Sequence, residues 1–143
     1  MAGRPATITE NGRAKAYRPL PEATRRAAFE AALEAYGRGD FFLAHEILEP
    51  AWMGARDPAE RALHSGLIKV AAGFVHAVRG NPTGVARNLE GARSRLRAAD
   101  SAGPAFHLDV GLILAQLDAS LVAVGRGEPP TPVAFVRLAA GAR

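Results

Sequence analysis

No cysteine occurs anywhere in the 143 residues, which excludes disulfide frameworks, thiolate zinc centres and a cysteine nucleophile together. Nothing in the chain therefore requires an oxidising compartment. A membrane-length apolar run is also missing. The longest stretch, Ala62 to Val78, is interrupted by His64, Lys69 and His76 and falls short of the roughly 20 residues that a bilayer span needs, so it reads as a buried central helix. At the N-terminus, Arg4, Arg13 and Lys15 have no apolar signal-peptide run between them, and a cytoplasmic location is the expectation.

Lysine is nearly absent as well: 16 of the 18 basic residues are arginine, and they are scattered. Net charge is +4 and the isoelectric point about 10.3. A nucleic-acid footprint needs basic residues clustered on one face with aromatics between them. Here only Arg87, Arg93, Arg95 and Arg97 gather, with Glu90 and Asp100 among them, so nucleic acid is not an expected partner.

What is present is helical. Residues 1–20 mix Gly, Pro, Arg and Thr without periodicity and read as a flexible arm. An ordered helical domain is expected over residues 21–128, and a Pro-rich tail over 129–143, where Val133 to Leu138 can form a short turn or strap. Phe29, Leu33 and Tyr36 share one face of a first helix that ends at Gly37 or Gly39. Asp40, Asp57-Pro58 and Asn81-Pro82 are capping signals for a second, third and fourth helix. Pro50 predicts a kink or early break near Glu49. After Ser101-Ala102-Gly103-Pro104, a fifth helix carries Phe106, Val110, Ile113, Leu114, Leu117, Leu121 and Val124 along one stripe. The expected fold is a single compact all-α bundle of about five helices, built from antiparallel hairpins. Arg38-Gly39-Asp40 is echoed about 41 residues later by Arg79-Gly80-Asn81, a spacing seen in helical repeats but with too few units for an array.

The second helix holds the chemistry. Phe41, Phe42, Leu43, Ala44, Ile47, Leu48, Ala51, Trp52 and Met53 surround it, and a helix apolar all round is expected to be buried. His45, Glu49 and Trp52 then share an arc of about 60°, with Glu46 to one side. Carboxylates buried there need donors or must hold protons. Ser65, Lys69 and His76, the polar stripe of the third helix, are the candidate partners.

The run Gly39-Asp40-Phe41-Phe42-Leu43-Ala44-His45-Glu46-Ile47-Leu48-Glu49-Pro50-Ala51-Trp52, followed by Gly66-Leu67-Ile68-Lys69-Val70-Ala71-Ala72 and His76-Ala77-Val78-Arg79-Gly80-Asn81, resembles the DUF309 family of uncharacterised proteins. Its hallmark has the form A-H-E-x-L-E-x-x-W, then G-L-I-x-x-A-A, then a histidine and a G-N turn. The likeness covers about Arg26 to Leu96. It implies a compact helical fold and a polar cluster of His45, Glu46, Glu49 and His76 beside Trp52, and it implies no activity. Lys69 stands where such sequences often carry glutamine, and Pro50 where an acidic residue is common.

Three readings of the cluster follow. It can be an architectural hydrogen-bond network joining two helices of a binding or interaction module. It can be a divalent-metal or small-ligand site using His45, Glu49 and His76, although H-E-x-x-H and paired E-x-x-H templates are not met. It can also support general acid/base hydrolysis through Glu46 or Glu49, although no nucleophile or oxyanion loop accompanies it. Glu60 and His64 are expected as a surface pair, His107 as a surface residue, and Trp52 as core. The apolar face of the fifth helix could also join two copies of the chain.

Overall fold

The computed structural model describes residues 6–10 and 12–139. Strands β1 (Ala6–Glu10) and β2 (Arg13–Tyr17) precede helices α1 (Glu22–Gly37), α2 (Phe41–Gly54), α3 (Pro58–Val78), α4 (Pro82–Ala98) and α5 (Val110–Gly125). The helical architecture matches the expectation, with one two-stranded sheet among the described residues. No described helix is long and apolar enough to cross a membrane.

Local chemistry sets the helix ends. Asp40, Asp57 and Asn81 accept the amides of Leu43, Glu60 and Gly84 at 3.2, 2.9 and 3.1 Å, and Asp109 caps α5 through Leu112 in the same way. Each cap satisfies an amide that has no partner within its helix. At the other ends, Gly39, Gly80 and Gly127 have φ of +84°, +70° and +75°. The next residue in each case donates to a carbonyl five residues back: Asp40 to Ala35, Asn81 to His76 and Glu128 to Ala123, all at 2.9 Å. The echo seen in the sequence is therefore a shared Schellman turn that recurs a third time after α5.

Helix α3 lies at the centre, packed on α2 and α4. Its contact with α4 is set by glycines seven residues apart on both helices. A Cβ on Gly66 would lie 2.6 Å from Leu96 Cγ, and one on Gly73 would lie 2.7 Å from Leu89 Cδ2. From the other side, Gly84 admits the His76 ring and Gly91 admits the Lys69 stem. Residue numbers that rise along α3 as they fall along α4 make the pair antiparallel.

Four expectations are corrected. The described part of the N-terminal arm is a β-hairpin, pairing Ala6 with Tyr17 through to Glu10 with Arg13, and its exit strand is tied to α2 by Arg18 N–H to Met53 O (2.9 Å) and Leu20 N–H to Gly54 O (3.2 Å). Pro50 does not break α2, which continues to Gly54. Pro50 lies on the exposed side, where water can serve the Glu46 carbonyl that loses its partner, and the two bonds from Arg18 and Leu20 hold the last turn. Helix α2 is not buried all round, since Phe42 is 56% and Leu43 38% exposed. It packs on α1 and α3 with one side, through Ala44, Leu48, Ala51 and Gly54. Finally, α5 begins at Val110 rather than near Phe106. Two 3-10 turns, Asp100–Ala102 and Pro104–Phe106, fill the gap, and His107, exposed at φ +54°, ends the second.

The rest of the α5 stripe joins the core. The tail forms the anticipated strap: Tyr36 Oη donates to Val133 O at 2.5 Å, Asp109 N–H to Val136 O at 2.9 Å, and Leu138 N–H to His107 O at 2.8 Å.

Candidate functional site

Four of the six sequence-derived candidates meet around one cavity of about 280 Å³. Helix α2 supplies His45, Glu49 and Trp52, one turn apart or less, so a single face carries all three. Helix α3 supplies Lys69 with Ser65, again at i and i+4. The β-hairpin contributes Glu10 and Lys15, and α4 contributes Arg95. His45 Nε2 stands 3.6 Å from Glu49 Oε1, an electrostatic contact too long for a hydrogen bond. His45 Nδ1 is buried and has no partner.

The other two candidates lie elsewhere. Glu46 is on the exposed side of α2. His76, two turns beyond Lys69 on α3, sits over Gly84 and bonds the Asn81 side chain at 3.2 Å. It joins the α3–α4 turn rather than the cavity, because α3 has by then passed the end of α2 that carries His45. Among the described residues, no three His, Asp or Glu side chains converge as metal ligands. The cluster is also wetter than expected, with the Glu49 side chain 45% exposed.

The cavity is electropositive. Burial holds the Lys69 ammonium below the ordinary lysine range, and the neighbouring charges of Arg95 and Lys15 push the same way. Glu10 offsets little of this, since it is already engaged: it accepts from the Trp52 indole at 3.2 Å and pairs with Arg61 at 3.3 Å.

Arg61 and its neighbour Glu60 are both buried, and Glu60 with His64 is the pair that the sequence reading placed at the surface. Only 1% exposed, Arg61 donates to the carbonyls of Trp52 and Ala55, each at 3.0 Å, and so closes the C-terminal end of α2. Its guanidinium carbon lies 5.2 Å from the Trp52 ring centre. One residue earlier, Glu60 takes a bidentate contact from Arg25 at 2.6 and 3.2 Å and shares a 3.0 Å hydrogen bond with His64 Nε2. Burial alone would raise the Glu60 pKa, but the bonds from His64 and Arg25 outweigh it and hold the carboxyl at about 2. Fully buried, the His64 ring packs edge-on against Phe29 and Phe106. The sequence did carry a signal: Glu60 and His64 fall in line with Leu67, Ala71 and Phe74 on the buried stripe of α3.

Residues 29–88 match the family model described as Domain of unknown function (DUF309), which spans most of α1, all of α2 and α3, and the start of α4. No curated protein matches the chain.

Proposed function

We propose that this chain, which carries a DUF309 domain over residues 29–88, is a binding module whose site is the cavity between the β-hairpin and helices α2, α3 and α4. The observation that carries the reading is the convergence of His45, Glu49, Trp52 and Lys69 on one space of about 280 Å³ that Glu10 and Lys15 of the hairpin also line. A concave site with a few converging polar groups and an aromatic wall is the usual form of a small-ligand pocket. The rigid scaffold supports this use. Trp52 is held by Glu10 and Arg61, and the Lys69 stem is seated on Gly91, so the walls are preorganised.

The chain's single tryptophan lines the cavity, so its emission reports occupancy directly. A panel of neutral sugars, amino acids, divalent cations and phosphate monoesters, titrated against the full chain, should include at least one class that shifts Trp52 emission saturably. The shift should vanish in Ser65→Leu, which fills the cavity from α3. If no class moves the emission, or if Ser65→Leu responds as the wild type does, the binding reading is wrong.

A further inference from the structure

We infer that the cavity takes the phosphate group of a small phosphate monoester, held by Lys15, Lys69 and Arg95. The inference rests on the binding reading and adds the ligand's chemistry.

The first support is charge. None of the three cations has a carboxylate within 4.0 Å among the described residues. Glu10 is paired with Arg61, which leaves Glu49, 3.6 Å from His45 Nε2, as the other acid lining the space. Three positive groups against one carboxylate leave two unbalanced charges. That matches a phosphate monoester near neutral pH, which carries between one and a half and two negative charges.

The second support is placement. A Cβ on Gly91 would lie 3.4 Å from both Lys69 Cε and Arg95 Nη1, so the two side chains approach the same point on α4. The absence of a side chain at position 91 is what admits the Lys69 stem, whose Cδ would be only 2.8 Å away. Arg95 Nη1 is steadied by the Gly91 carbonyl at 3.3 Å, and the guanidinium keeps further N–H donors for an oxyanion. Lys15 comes from the hairpin, so the grip closes from three separate elements, β2, α3 and α4.

The Lys69 ammonium is depressed first by burial and then by the charges of Arg95 and Lys15, and a bound dianion would offset both by favouring the charged form. A nucleic-acid strand fits less well. The charges line one cavity, and Arg87 and Arg93 of α4 line a different one beside α5.

The test uses the full chain with glycerol 2-phosphate and inorganic phosphate as probes, read by calorimetry and Trp52 emission at fixed ionic strength. Both probes should bind at millimolar concentration or below, and glycerol should not. Lys69→Met, which keeps the stem on Gly91, should weaken binding by about tenfold or more. Lys15→Met on the hairpin should do likewise, which keeps the test decisive if position 69 proves intolerant. Gly91→Ala should weaken binding several-fold without loss of thermal stability, since it displaces a flexible stem while improving helix propensity. Arg97→Met, on the exposed side of α4, should bind as the wild type does. The inference is overturned if neither phosphate binds, if Lys69→Met and Lys15→Met both bind like wild type, or if RNA binds where the small phosphates do not. A neutral or cationic solute that moves Trp52 while phosphate does not would sink this inference and spare the binding reading. If no solute moves Trp52, both fall.

Discussion

Glu60 and Arg61 are consecutive residues with opposite charges, and both are drawn inside by partners distant in sequence. Glu60 is stabilised as the anion, so its contribution to stability is complete above the ordinary carboxylate value of 4.5 and is lost as pH falls toward about 2. Glu60→Gln should therefore flatten the decline in melting temperature across that window. At neutral pH it should cost about 1–3 kcal/mol, because Arg25 and His64 lose a charged acceptor. Urea denaturation of both proteins at pH 6 and pH 3 measures each effect, and an unchanged pH dependence would remove Glu60 from the account. The helical phase of Glu60 and His64 was readable from the sequence. Their burial was not, since it depends on Phe29 and Phe106 covering the ring.

At the scale of elements, the antiparallel α3–α4 contact depends on glycines that let leucines approach the backbone. Leu96 is fully buried, and its backbone amide lies 3.4 Å from where a Gly66 Cβ would stand, so neither group has room to retreat. Gly66→Ala should destabilise the protein by about 1–3 kcal/mol through overpacking, despite the better helix propensity of alanine. Gly111 in the first turn of α5 is the contrasting case. The nearest atom to an added Cβ there is an Asp109 oxygen at 3.6 Å, and Gly111→Ala should stabilise by roughly 0.5 kcal/mol. Opposite shifts in the urea midpoint for the same chemical change would confirm that packing, not propensity, decides at Gly66. Equal shifts would refute it. Pro50 teaches the same lesson within α2: its local effect was legible, but the anchoring of Met53 and Gly54 by the hairpin's exit strand overrides it.

For the whole molecule, both flanking segments act as parts of the bundle. The hairpin supplies the counter-charge of Arg61 and one wall of the cavity. The tail buries Val133, stacks Phe135 on Tyr36 with ring centres 3.9 Å apart, and forks Arg137 onto Glu30 at 2.6 and 2.8 Å. The Arg137 pair holds the Glu30 carboxyl below its usual range, and burial pushes the Tyr36 phenol up. Removal of residues 129–143 should cost about 3 kcal/mol or more, from the lost apolar burial and the Tyr36 hydrogen bond. A urea midpoint equal to that of the full chain would show the strap to be ornamental.

The sequence by itself determined the starts of α2, α3 and α4 and the glycine stops of α1 and α3, because caps and glycine stops act between residues a few positions apart. It also determined the helical class and the apolar stripe of α5, which follow from periodicity within one segment. Only the tertiary structure decided which polar side chains go inside, which of the α2 and α3 candidates share a cavity, and that Glu10 reaches Arg61. The physical reason is that burial and charge pairing are set by what packs on the other side of a residue, and that neighbour is supplied by a segment tens of positions away.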